Sequence, residues 1–241
     1  MQIEDKRVLI SGAGRGLGRT LVAAFVKAGA REVLAGTRRQ EQRDELQREF
    51  PARVTPVQLD VTNDSDVDGV TRLGTIDILV NNAGVACYGN PLTMNFDDVV
   101  SELSVNYLGV LRLTRAAAPG MIAQREGTIV NVATAFAKVN LPVVGTYCAT
   151  KAALLSLGQA LRAYLADDGV RVITVMPTTF DSDMSRGANV PKMTKEFVAD
   201  EILAAIREER HDPPIGDEAK SVFDGLMKDP LGLEKNLMNY K

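Results

Sequence analysis

Apolar and polar positions alternate along this chain in two rhythms. Short continuous apolar runs mark strands buried on both faces of a parallel sheet. Between them, apolar residues return every third or fourth position, as on a helix packed along one face. Arg7–Ser11, Glu32–Thr37 and Val54–Leu59 predict the first three strands. Leu17, Leu21, Ala24, Phe25 and Ala28 repeat at helical spacing after the first, and Gly29 closes that helix. The charged segment from Arg38 to Phe50 reads as a solvent-facing helix. A short helix over Ser65–Leu73 leads to a fourth strand at Ile76–Asn81, and helical sequence runs from Asn95 to Gln124 with a break expected at Pro119-Gly120. A fifth strand covers Gly127–Val132, a long helix runs from Thr146 to Ala166, and a sixth strand covers Arg171–Met176. Beyond Pro177 the pattern loosens into a Ser/Thr/Asp-rich loop, a helix over Lys195–Glu209, a short strand at Pro214–Gly216 and one or two further helices. This tail is expected to cover the open side of the sheet.

Strands alternating with helices predict an α/β fold, a doubly wound parallel sheet with helices on both faces. No linker, low-complexity run or shift in composition interrupts the pattern, so residues 1–241 read as a single domain.

Composition narrows the chemistry by exclusion. A hydrophobic content of 45% and a charged content of 24% are ordinary for a water-soluble domain. A net charge of −3 and a pI near 5.4 give no electrostatic case for nucleic acid or an anionic membrane. No apolar run approaches the ~18 residues that a membrane span needs, and the charged N-terminus lacks a signal-peptide core. A cytoplasmic location is expected. The cysteines, Cys87 and Cys148, are too few for a disulfide framework and read as reduced thiols. The single histidine, His211, leaves no Ser-His-Asp triad and no multi-histidine metal site.

Two constellations carry chemistry. The first is Gly12-Ala13-Gly14-Arg15-Gly16-Leu17-Gly18, set between the first strand and the first helix. A glycine turn there brings backbone amides and the positive end of the helix dipole up to a pyrophosphate. The end of the second strand reads Thr37-Arg38-Arg39 and has no acid to hold the ribose hydroxyls of NAD. Guanidinium groups bind phosphate in a fork, so Arg15, Arg38 and Arg39 favour NADP(H). The second constellation is Tyr147 and Lys151, four apart on one helix and so on one face. The ammonium is expected to lower the phenol pKa towards the range of a general acid or base.

With both constellations in one sheet, the sequence resembles the short-chain dehydrogenase/reductase family in its compact single-domain form. The resemblance covers Arg7 to about Met184. It implies that Asn82, Ala83 and Gly84 lie beneath the adenine side of the cofactor and that Asp60 and Val61 contact the adenine. It implies too that Asn106 holds a water next to the catalytic lysine, that Tyr147 and Lys151 are the catalytic pair, and that Pro177, Phe180 and Ser182 pass the nicotinamide. The family carries serine thirteen residues before its tyrosine, where this chain has Thr134. Threonine keeps the hydroxyl, but its methyl restricts the rotamer. Thr178 stands where the family has glycine.

The expected activity is hydride transfer between NADP(H) and a carbonyl or secondary alcohol. Val85, Ala86, Phe136, Ala137, Val139, Val143, Val144, Phe180 and Met184 flank the motifs and give a mostly apolar wall, suited to a small or medium hydrophobic ketone, aldehyde or alcohol. A 3-oxoacyl-type ketoreductase and a catalytically silent NADP(H) sensor are the rivals. The resemblance implies a homodimer or homotetramer built on the long helices around Asn106 and Tyr147.

Overall fold

The computed structural model describes residues 1–187 and 189–238. Its strands are β1 (Arg7–Ser11), β2 (Glu32–Thr37), β3 (Val54–Gln58), β4 (Ile78–Asn81), β5 (Gly127–Val132), β6 (Val170–Pro177) and β7 (Pro214–Ile215). They form one sheet in the order β3-β2-β1-β4-β5-β6-β7, with every pair parallel. The helices are α1 (Gly16–Lys27), α2 (Gln40–Glu49), α3 (Asp64–Val70), α4 (Phe96–Leu103), α5 (Val110–Gln124), α6 (Gly145–Leu165), α7 (Lys195–Glu208), α8 (Asp217–Lys228) and α9 (Pro230–Leu237).

Side chains alternate across each strand, which fills both faces of the sheet. Val8, Ile10, Val33, Ala35, Ile78 and Val80 pack on one face with Leu21 and Phe25 of α1 and Ile202 and Ile206 of α7. Leu9, Leu34, Leu79 and Ile129 pack on the other with Leu113 and Met121 of α5. The tail divides as its pattern predicts. Helix α7 joins the first layer, β7 pairs with the edge strand β6, and α8 lays Ala219 and Val222 on Phe136, Val144 and Cys148.

The expected break at Pro119-Gly120 is absent, and Pro119 stands inside α5. Proline removes the donor for the carbonyl four residues back, here that of Arg115. Both residues are exposed, so that carbonyl can turn to water. The irregularity lies earlier, in a π-helical turn over Ser104–Gly109 between α4 and α5. Such turns are often found at functional sites, and this one carries Asn106.

Chain order reverses between β1 and β4, the switch point where a parallel sheet opens a crevice at the carboxyl ends of its strands.

Candidate active site

A cleft of about 360 Å³ lies over that switch point. At its floor the glycine turn and the end of β4 are sewn together. Gly12 has φ +68°, and a Cβ there would lie 2.9 Å from Ala83 Cα; one on Gly18 would strike the Gly12 carbonyl. Asn82 Nδ2 donates to the carbonyls of Ser11 (3.0 Å) and Gly12 (3.3 Å). The Ser11 hydroxyl oxygen accepts from the amides of Asn82 and Ala83, both at 3.1 Å. Ser11 is invisible as a site residue in the sequence, because it looks like the last residue of a strand.

Helix α1 starts at Gly16 with no side-chain cap and no acid in its first turn. Its leading amides therefore lack side-chain partners and face the cleft with the positive end of the dipole, an arrangement that suits a phosphate.

Arg38 and Arg39 lie exposed at the end of β2, line the cleft, and make no ion pair among the described residues. Two free guanidinium groups beside the cradle fit a second anionic group. Arg15 is engaged differently, in an ion pair with Asp183 from the segment after β6, and Asp183 also pairs with Arg186. Gln42 of α2 lines the cleft too, unannounced by any motif. Asp60 Oδ1 accepts from the backbone and hydroxyl of Thr62 at 2.9 and 2.7 Å, which fixes the turn beside Val61.

Lys151 is 4% exposed and donates to the Val132 carbonyl at 2.8 Å, with its Nζ 5.6 Å from the centroid of the Tyr147 ring. Burial pushes its pKa down from 10.5 to about 8. Tyr147, half-buried at the cleft, moves the other way. Desolvation first, then the neighbouring Cys148, Tyr88 and Glu102, hold its phenol well above the ordinary value. The lowered pKa expected from the sequence is thus not found in the free protein, where loss of water sets the direction of the shift. At neutral pH the Tyr147 phenol holds its proton.

Asn106 does not line the cleft; it stands behind it. Its Oδ1 accepts from the Val85 amide (2.9 Å), and its Nδ2 donates to the Val85 carbonyl (2.8 Å) and to Thr150 Oγ1 (3.0 Å). Thr150 in turn donates to the Tyr147 carbonyl at 2.7 Å. Thr134 lines the cleft, and its hydroxyl donates to the Pro177 carbonyl at 3.0 Å while accepting from the Phe136 amide at 3.4 Å.

The cleft brings together Gly12, Arg15, Gly16, Leu17, Gly18, Thr37, Arg38, Arg39, Asp60, Val61, Asn82, Ala83, Gly84, Thr134, Tyr147, Lys151, Phe180 and Ser182. Of the expected site residues, only Asn106 and Pro177 are outside its lining. From the expected apolar wall, Ala137 and Val139 pack into the layer behind it. Among the described residues no group of acids, histidines and cysteines could hold a metal, and no helix is long and apolar enough to cross a membrane.

The family model for short chain dehydrogenases matches residues 6–192, well over half of the chain. The chain belongs to the short chain dehydrogenase family. A crystal structure of a short chain dehydrogenase from Burkholderia cenocepacia J2315 in complex with NADP superposes with a TM-score of 0.93 at 36% identity, over 99% of each chain. Among curated relatives, L-xylulose reductase of Cavia porcellus is 36% identical over 186 residues, which are 76% of this chain and 75% of the relative. A dehydrogenase/reductase SDR family protein 7-like of Anopheles gambiae is 34% identical over 202 residues; these are 77% of this short chain dehydrogenase but 62% of that longer relative.

Proposed function

We infer that this short chain dehydrogenase is an NADP(H)-dependent oxidoreductase acting on a small to medium, uncharged and mostly apolar ketone, aldehyde or secondary alcohol. One observation supports it above the rest: a single cleft holds an anion cradle with free guanidinium groups at one end and a tyrosine proton donor against apolar walls at the other. The bound cofactor supplies the hydride in reduction and takes it in oxidation.

The chain's own residues do the rest. Gly12, Gly16 and Gly18 let the first turn of α1 meet the pyrophosphate, and Arg38 and Arg39 take the 2′-phosphate. Tyr147 gives its proton to the substrate oxygen in reduction and takes one back in oxidation. Lys151 puts a positive charge beside the phenol, which favours the phenolate once the proton has left. Thr134 holds the substrate oxygen by exchanging its bond to Pro177 for one to the substrate. Asn106 fixes the Tyr147 turn through Thr150 and keeps the wall at Val85 in place.

The substrate end is lined by Phe136, Leu141, Val143, Val144 and Met184. Glu218, in the first turn of α8, also lines the cleft and makes no ion pair among the described residues. An anionic substrate or an acidic acyl carrier protein would meet that unpaired carboxylate at the cleft, which disfavours it. This favours neutral carbonyls over acyl-carrier substrates. Phe96, Val100 and Leu103 form an exposed apolar stripe on α4, and we assign it to a second copy of the chain.

The test is loss of NADPH absorbance with a panel of neutral ketones and aldehydes, each paired with a carboxylate-bearing analogue. Turnover of the neutral member of each pair, at higher kcat/KM, is expected. No turnover of any member by NADPH-binding protein would favour the silent sensor, and preference for the anionic members would overturn the substrate class.

A further inference from the structure

The segment after β4, residues 82–88, has no regular secondary structure, yet it supplies Val85, Ala86 and Tyr88 to the cleft. Two side chains one turn apart hold its backbone. Asn106 grips both polar groups of Val85. Two residues on, the amide of Cys87 donates to Glu102 Oε1 at 2.6 Å. Glu102 is fully buried, and its Oε2 has no partner among the described residues.

A buried carboxylate with one bonded oxygen is a poor device for stability, because an orphaned polar atom costs more than an apolar side chain of similar size. What it does secure is the path of the chain. The next residue, Tyr88, reaches across the cleft, and its hydroxyl donates to the Met184 carbonyl at 2.9 Å. The amide of Gly89 then donates to the Val143 carbonyl at 3.1 Å. Glu102, Cys87, Tyr88 and Met184 thus form one line from α4 to the segment that closes the substrate end.

We propose that Glu102 is a positioning residue for substrate binding: by holding Cys87 it aims Tyr88 at Met184 and so sets how the segment 178–187 closes over the substrate. This rests on the reading that the cleft takes a carbonyl substrate, so the test has one arm with substrate and one without.

In the first arm the ketone KM and kcat are measured for the native protein, Glu102→Leu, Glu102→Gln, Tyr88→Phe and the Leu/Phe double variant. Glutamine keeps the acceptor and holds the native KM. Glu102→Leu and Tyr88→Phe each raise KM about five-fold or more, as the loss of a bond worth about 1 kcal/mol requires. The Kd for NADPH stays unchanged. The double variant is no worse than the worse single one, because both break the same line. In the second arm, hydrogen exchange over 178–187 without substrate speeds up in Tyr88→Phe and Glu102→Leu.

Absence of native turnover would sink the carbonyl reading alone, and the exchange arm would still decide this one. Unchanged KM and unchanged exchange in Tyr88→Phe would overturn the proposal. So would KM effects that multiply in the double variant, or a Glu102→Gln variant as impaired as Glu102→Leu. Tyr88 is 52% exposed, so its phenylalanine variant folds even if the leucine at 102 does not.

Discussion

Lys151→Met is expected to make the protein more stable while abolishing its function. The native ammonium is 4% exposed and its pKa falls from 10.5 to about 8 for one reason, loss of water. The distance between those two values is worth about 3 kcal/mol against the folded state below about pH 8, where the lysine is charged in both states. Methionine matches most of the chain length and needs no hydration. It gives up the 2.8 Å bond to the Val132 carbonyl, about 1 kcal/mol. The net gain at pH 7 is about 2 kcal/mol, or about 4 to 8 °C in Tm for a chain of this size.

The pH dependence makes the test specific. With the folded pKa below the unfolded one, the unfolded chain binds more protons between about pH 8 and 10.5, so native stability rises with pH across that window. The methionine variant lacks this rise, and its advantage shrinks steadily to pH 10. Tyr147, whose raised pKa lowers stability above its ordinary value of 10, is present in both proteins and cancels to first order. Urea unfolding at pH 7, 8.5 and 10 measures the gap, at one protein concentration so that self-association adds equally. A variant less stable than the native protein at pH 7, or a gap that does not change with pH, would refute the reasoning.

Tyr147→Phe should lower turnover by about 10² to 10⁴ with NADPH affinity unchanged, read by absorbance and by fluorescence titration; native-rate turnover would remove Tyr147 from its role. Arg38→Ala should weaken NADPH about ten-fold and leave NADH untouched, and equal native affinity for both cofactors would contradict the assignment. Asp183→Asn frees Arg15 from its ion pair, so NADPH should bind about two- to five-fold more tightly, in line with the modest worth of an exposed pair; weaker binding would show that Asp183 holds Arg15 ready instead. Thr134→Val should cost about 2 to 4 kcal/mol of transition-state stabilisation while Thr134→Ser stays active, and full activity of the valine variant would leave the Thr134 hydroxyl to Pro177 alone.

The strands, the glycine turn and the Tyr147/Lys151 pair were legible because each is a short-range pattern with a period or a fixed spacing. What one residue's side chain does to a distant backbone was not. Ser11 reads as the end of a strand, and only the fold carries Asn82 and Ala83 to its hydroxyl. Glu102 belongs to no motif, and only packing buries it against Cys87. Arg15 has the right place for a phosphate, but nothing local announces a partner 168 residues away. Pro119 was misleading for the same reason: the cost of a missing donor depends on whether the freed carbonyl meets water, which is a property of the assembled surface.

The pKa values of the central pair turn on the same point. Spacing alone sets a cation beside a phenol and so implies a lowered phenol pKa, whereas the fold takes water from both groups at once. One desolvation raises Tyr147 and lowers Lys151, and each moves towards its neutral form. At rest the phenol therefore holds its proton, the form that reduction of a carbonyl consumes. Oxidation of an alcohol must first draw that proton out through the cleft, which becomes easier as pH rises towards the tyrosine's own value. On the proposed mechanism, the ammonium of Lys151 matters most in the instant after Tyr147 has given its proton away.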